Sequence, residues 1–545
     1  MVSQSSEEAP TGPIRGVPAP QTPPGPQAAG AAARQRNVVA DLTAAVLLLL
    51  APLLPWNLYF GIAIPDSNTT VFAVLIAVTL LSLIAIALPG SGRTTRGLRL
   101  ALNAPYLLLV LAFVGFDVFE TVRFGGTVTV PGGVGPGAWL GVAGALLSTQ
   151  SASGAAAADD DTSDGRQRSA QIIGYVSIVA AALSFGFTLY WRVKYALRDA
   201  GGSADFGKQN IAVIATATVY GLVALIAVLV ASRWLVRQTR ASRLATIALG
   251  ASTLVAGIIV WFLPAGRDID AFHGIAQNTS TAGVGFEGYL AWAAAAAIFA
   301  PRTLFGRAGT ESSEENAWRA SARNGLLLIA VWCLGSMAMR ITDLAVAVSL
   351  DYPYSRYDSV VLAAFDVATA VLAIWLRIKL RSGSSARLIT SLSGLVAALT
   401  ISRVIVGVVL APRFQEPPNA VQNPVYGNDL AQQITSTFDV TLSALALYIL
   451  VAAIITGHFA RRRLRRRAAR KRAVPPGANA PTTRIPTGAP PPSAAATTHI
   501  QTGESPTTAI PQLTGSPRIF RGDDSATGQI PVSKPKIYRP PQDPS

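Results

Sequence analysis

The sequence predicts an all-α polytopic membrane protein with about twelve transmembrane helices, and three observations predict it. Apolar runs recur along the chain, separated by short polar loops. Half of the 545 residues are hydrophobic and only 14% are charged, with the charges gathered in loops and tails. Arginine is enriched in alternate loops. Runs such as residues 71–88, 210–231 and 388–411 are long enough to cross a hydrocarbon layer of roughly 30 Å at about 1.5 Å per helical residue.

Residues 1–37 are rich in Pro, Ala, Gly and Ser and lack the apolar stretch of a cleavable signal peptide, so they read as a disordered cytoplasmic arm. The first crossing then acts as an uncleaved anchor. A first four-helix unit, residues 38–149, has crossings near 38–60, 71–88, 98–119 and 134–149. A polar cytoplasmic linker, 150–170, carries Asp159, Asp160 and Asp161. The second unit, 171–300, has crossings near 171–191, 210–232, 244–264 and 283–300, and the linker 301–323 carries Glu311, Glu314 and Glu315. The third unit, 324–457, has crossings near 324–348, 358–379, 387–411 and 435–457, and a basic, Pro/Thr-rich tail fills 458–545. Segment 134–149 is short and glycine-rich and 283–300 is alanine-rich, which leaves a full crossing and a re-entrant piece both open for each.

The arginines orient the chain. Arg93 and Arg96, then Arg233, Arg237, Arg240 and Arg243, then Arg377, Lys379, Arg381 and Arg387 fall on one side with both termini, which the positive-inside rule assigns to the cytoplasm. The loop holding Arg192, Lys194, Arg198 and Lys208 runs against that pattern. An internal repeat is suggested by Gly133-Val134-Gly135-Pro136-Gly137-Ala138-Trp139-Leu140 beside Gly283-Val284-Gly285-Phe286-Glu287-Gly288-Tyr289-Leu290, which would make three four-helix repeats. Glycine-rich entry turns that recur by composition are the alternative.

Much of the net charge of +16 lies beside membrane segments and in the tail, so it reads as a topology signal and an attraction to anionic lipid rather than as a nucleic-acid surface. Cys333 is the only cysteine, and His273, His458 and His499 are scattered, so neither a disulfide framework nor a metal cluster is expected. Phosphate-loop, GxSxG, HExxH and dinucleotide fingerprints are missing from the sequence, and no cofactor is expected.

Charges inside crossings are the main pointers to a site, because a lone ion in hydrocarbon needs a partner or water. Asp366 and Arg403 both fall about eight residues from the outer end of their crossings, roughly 12 Å deep at about 1.5 Å per residue, where they can pair. Arg340 lies at a comparable level with Asp343 one turn along, and Asp439 enters the last crossing nearer the surface. Two readings are open: a polar chamber for an ion, a proton or an anionic headgroup, or buried ion pairs that fix helix register. Asp117 and Glu120 close the third crossing and read as solvated or paired with Arg123. Asp66, alone in the first outer loop, resembles the acidic residue that glycosyltransferases acting on lipid-linked sugars use there, but the second acidic residue and the large outer domain usual in that family are missing.

After the last crossing, Arg461, Arg462, Arg463, Arg465, Arg466 and Arg467 are placed to lie on anionic headgroups, at about 1 kcal/mol per charge near the surface. From Val474 onward no apolar periodicity survives and disorder is expected. There Thr482, Thr497, Thr507 and Thr527 are each followed by isoleucine at the third position. That spacing resembles ligands of forkhead-associated domains, which grip phosphothreonine and read the third following side chain. The expected partners are therefore membrane lipids, a threonine kinase and a forkhead-associated-domain protein. Chance repetition in a low-complexity linker is the alternative.

Ala/Arg-rich helices joined to a Pro/Thr tail resemble the multi-pass proteins of high-GC actinobacteria. That resemblance covers the whole chain and implies a plasma membrane and a cell that uses threonine kinases. The sequence thus points first to an envelope-associated scaffold or regulator with a docking tail, then to a secondary transporter using the charges of the last four helices, and third to a transferase on lipid-linked substrates.

Overall fold

The computed structural model describes residues 38–473 apart from 58–59, 63, 65–66, 89–92, 125–132, 151–159, 201–206, 264–273, 277–283, 306–310, 352–355, 383 and 411–435. Among the described residues there are twelve α-helices and no strand; Asn57 and Phe60 form an isolated antiparallel bridge. The helices are α1 (Val38–Leu50), α2 (Thr69–Ala87), α3 (Arg93–Phe124), α4 (Pro136–Ser148), α5 (Asp160–Ala200) and α6 (Lys208–Arg237). They continue as α7 (Arg240–Phe262), α8 (Phe286–Phe305), α9 (Glu311–Ser349), α10 (Arg356–Lys379), α11 (Ala386–Leu410) and α12 (Thr437–Ala473).

Nine of these, all but α1, α4 and α8, are long and apolar enough to cross a membrane. Their outward faces carry the side chains that hydrocarbon accommodates: Leu111, Leu183 and Val409 are each more than 60% exposed. A stripe of exposed aliphatics on helix after helix is a surface that water would not tolerate.

Each crossing expected from the sequence has a helix within it, but several boundaries differ for local reasons. The first does not run to residue 60. Pro52 ends α1 in a short 3-10 turn over Ala51–Leu53, and Pro55 follows. The linkers expected at 150–170 and 301–323 are partly helical, since α5 starts at Asp160, α8 continues to Phe305 and α9 starts at Glu311. Asp160 is the first residue of α5 and Glu311 the first of α9. The basic segment is also helical, as α12 runs unbroken to Ala473.

Helix α4 has thirteen residues and twelve of them are buried, so it is walled in by protein instead of lipid. It packs antiparallel to α1. The backbone N–H groups of Gly135 and Gly137 donate to Trp56 O at 2.7 Å and Pro55 O at 2.9 Å, which caps the helix start where no side chain does. Gly137 permits the approach: a Cβ there would lie 2.5 Å from the Trp56 ring and 2.7 Å from Leu54 O. At the other end Arg99, 1% exposed, donates to Leu88 O at 2.9 Å, Ile86 O at 3.5 Å and Gln150 O at 3.5 Å. It thereby gathers the carbonyl ends of α2 and α4, with Asp41 of α1 at 3.8 Å.

An aromatic chain runs through the centre. Trp139 of α4 meets Tyr289 of α8 at 4.6 Å between ring centroids, Trp292 meets Phe438 of α12 at 5.8 Å, and Phe438 meets Trp332 of α9 edge-on at 4.8 Å. Trp292 also donates to Ser232 of α6 at 3.1 Å, and Ser232 pairs with Ser177 of α5 at 3.0 Å. Trp139 and Tyr289 hold equivalent places in the two similar octapeptides, so these segments pack on each other.

Candidate functional site: a buried charge cluster in the last four helices

The side chains that reach this site lie on helix faces that sequence spacing turns inward. On α10 the buried positions include Asp358, Leu362, Asp366, Ala370 and Ala373, three to four residues apart. On α11 Ile389, Ser393, Val396, Thr400, Arg403 and Gly407 form the matching stripe. Asp366 and Arg403 are therefore placed toward the protein interior by the same periodicity that places their apolar neighbours there.

Arg403 Nε donates to Asp366 Oδ1 at 2.8 Å, and Arg403 Nη2 donates to Ser336 Oγ at 2.8 Å. Ser336 in turn donates to Asp366 Oδ2 at 2.7 Å, closing a three-membered ring of contacts between α9, α10 and α11. Arg403 Nη1 lies 2.7 Å from Asp439 Oδ2. Trp332 Nε1 donates to Asp439 Oδ1 at 2.6 Å, and the Ser436 backbone N–H donates to Oδ2 at 2.8 Å. Asp439 N returns a bond to Ser436 Oγ at 3.3 Å, so Asp439 also completes the capping box that starts α12.

All four carboxylate oxygens are thus engaged, and Asp366, Arg403 and Asp439 are all buried. One guanidinium meets two carboxylates, and neutral donors supply the remaining contacts. The cluster ties four helices together, and its groups turn toward each other. Buried charges are tolerable in this form because each has a partner at hydrogen-bonding distance.

Arg340 and Asp343 pair with each other, with 3.4 Å between Nη1 and Oδ2. Tyr220 of α6 donates to the same Asp343 oxygen at 2.6 Å, which links α6 to α9. Of the five charged residues that the sequence singles out in this region, Asp366, Arg403 and Asp439 come together in one cluster, and Arg340 and Asp343 form a pair reaching toward α6. Ser336, Trp332 and Tyr220 have no charge to betray them, so sequence reasoning missed them.

Asp117 departs from its expected place at a solvated interface. It is 3% exposed, and neither of its carboxylate oxygens accepts a hydrogen bond among the described residues. Of the six tail-proximal arginines, Arg462 and Arg465 have described side chains, both exposed on α12. Residues 1–37, Asp66, and Thr482, Thr497, Thr507 and Thr527 lie outside the described residues.

The chain matches the family described as a domain of unknown function, DUF7937, over residues 37–458, and it belongs to that family. No match was found among curated proteins or among solved structures. The matched region takes in all twelve crossings expected from the sequence and stops where the basic segment begins.

Proposed function

We propose that this member of the DUF7937 family is an integral plasma-membrane protein that serves as an envelope-associated scaffold or regulator, with both termini cytoplasmic. In this reading the helical body is an anchor and the tail after it is a docking arm. In this reading twelve crossings in three related sets of four complete the architecture. The similarity of the octapeptides at 133–140 and 283–290 is what suggests a common origin for the first two sets.

The observation that carries this reading is the single helix α12. It is fastened at Asp439 to Arg403, 2.7 Å away, and continues without a break to Ala473 through the arginine run. A basic helix leaving a rigid bundle suits contact with anionic headgroups by Arg461, Arg462, Arg463, Arg465, Arg466 and Arg467. It also fixes the root of the tail at the membrane surface. Phosphorylation at Thr482, Thr497, Thr507 or Thr527 would then present a phosphothreonine to a forkhead-associated domain, with several weak sites acting by avidity. A transporter that binds its substrate at the charged layer is less well supported, because every carboxylate oxygen of Asp366 and Asp439 already accepts a hydrogen bond from Arg403, Ser336, Trp332 or Ser436.

Two measurements separate the readings. Phosphopeptides spanning residues 497–503, with and without Ile500→Ala, are offered to a panel of forkhead-associated domains. Binding by the native phosphopeptide that Ile500→Ala weakens at least tenfold supports the docking tail. Equal binding by both peptides, or none by either, overturns it. Truncation after Ala473 in the cell is expected to abolish function while the helical body still inserts; retained function would return the activity to the membrane region.

A further inference from the structure

Between α3 and α5, floored by α4 and α8, lies a groove of about 870 Å³. That volume falls within the range of roughly 300–1,000 Å³ typical of small-molecule sites. Its walls are aliphatic, with Val110 and Val114 from α3, Val142 from α4, Leu183 from α5 and Leu290 and Ala294 from α8. Its two acidic side chains lie toward one end. Asp117 lines the groove with neither carboxylate oxygen hydrogen-bonded. Glu287 lines it too, near enough for the two charges to repel, and accepts from the Gly285 N–H at 2.9 Å.

We propose that this groove binds a membrane amphiphile whose head carries a primary ammonium and whose acyl chain lies along the apolar walls. The inference is independent of the tail. A buried carboxylate without a hydrogen-bond donor is expensive, and a second carboxylate beside it adds repulsion. An ammonium relieves both at once, since it brings a positive charge and three N–H donors that can be shared between two acids. The length fits as well. The lining stretch of α3 from Leu107 to Asp117 rises about 15 Å at about 1.5 Å per residue, which is close to half of a hydrocarbon layer of about 30 Å and so to the chain of a single leaflet. A head held by Asp117 and Glu287 with its chain reaching to Leu107 would occupy the greater part of the groove, whose lining on α3 continues past Asp117 to Val122.

The test uses the full-length protein purified in detergent and exposed to equimolar phosphatidylethanolamine and phosphatidylglycerol with identical chains, followed by native mass spectrometry. At least fivefold preferential retention of the ethanolamine lipid is expected. The double variant Asp117→Asn/Glu287→Gln should bring the ratio close to one while lipid is still retained, and Ala180→Phe, which fills the groove, should reduce retention of both lipids. Equal retention by the wild-type protein, retention of neither lipid, or an unchanged preference in a folded double variant each overturns the proposal. The wild-type ratio decides the matter even where a variant does not fold.

Discussion

Arg403 and Asp366 are in direct contact, Nε to Oδ1, at 2.8 Å, yet the guanidinium is shared with Asp439 and the carboxylate with Ser336. The two charges are therefore not equivalent. Removing Arg403 leaves two buried acids facing each other, whereas removing the charge of Asp366 leaves Arg403 still paired with Asp439. Arg403→Ala should destabilise by about 3–5 kcal/mol, the usual cost of leaving a buried charge unpaired. Asp366→Asn should cost less, about 1–3 kcal/mol, because its amide oxygen can still accept from Arg403 while its NH2 donates to the Ser336 hydroxyl oxygen. Thermal unfolding of the purified variants in detergent measures both, and the double variant should fall short of the sum. Additive losses, or a larger loss from Asp366→Asn, would contradict the shared-guanidinium geometry.

Close backbone approach makes a second prediction. A Cβ on Gly250 would lie 2.4 Å from the Trp292 carbonyl oxygen, so α7 and α8 touch there through main chain that cannot rotate away. Gly97 has nothing within 4 Å of the same atom. Gly250→Ala should lower the melting temperature by several degrees or abolish folding, consistent with overpacking costs of about 1–3 kcal/mol. Gly97→Ala, on a helix with open space, should be neutral or slightly stabilising, by up to about 1 kcal/mol. Comparable effects at the two sites would mean that helix propensity rather than contact governs them.

The helices were legible because a membrane segment declares itself by a long apolar run, a local property. The charged pair was legible for a related reason: a carboxylate and a guanidinium deep in two successive runs have few partners other than each other. What the sequence hides is set by atoms distant in the chain. Arg99 looks like one more basic residue in the group that begins at Arg93, and only the carbonyls of Leu88, Ile86 and Gln150 explain its burial. Asp117 looks like an interface residue because burial under α5 and α8 cannot be read from α3. The early end of α1 was readable in principle from Pro52 and Pro55, but the hydrophobicity of the segment masks the break.

Tyr220 joins α6 to α9 through one hydroxyl, 2.6 Å from Asp343. Tyr220→Phe keeps the ring and removes that donor from a carboxylate that also faces Arg340. The expected cost is about 1–3 kcal/mol, in the range for a hydrogen bond to a charged group. In an Asp343→Asn background the same change should cost roughly half as much or less, since the acceptor is then neutral. Unfolding curves for the four proteins of the cycle test this, and equal losses of Tyr220→Phe in both backgrounds would place the hydroxyl elsewhere.

Topology gives the last prediction, because the three helices outside the nine long apolar ones decide the parity of the chain. Reporter fusions at Ser91, Asn278 and Gly477 divide the problem. With Ser91 held in the cytoplasm by Arg93 and Arg96, five helices, α3 to α7, lie between it and Asn278, and five more, α8 to α12, lie between Asn278 and Gly477. If every helix crosses, Ser91 and Gly477 report the cytoplasm and Asn278 the opposite side. If α4 turns back, as its thirteen residues and about 20 Å of length would allow, Asn278 moves to the cytoplasmic side. If α8 turns back instead, Asn278 stays outside and Gly477 joins it. The expected outcome is the fully crossing one. Helix α4 is enclosed by protein and extended at its start by a backbone-capped loop, the setting in which non-helical chain is tolerated at membrane depth. A cytoplasmic Asn278 or an external Gly477 would overturn the twelve-crossing map, and the pattern names the helix: both reporters change side if α4 turns back, Gly477 alone if α8 does.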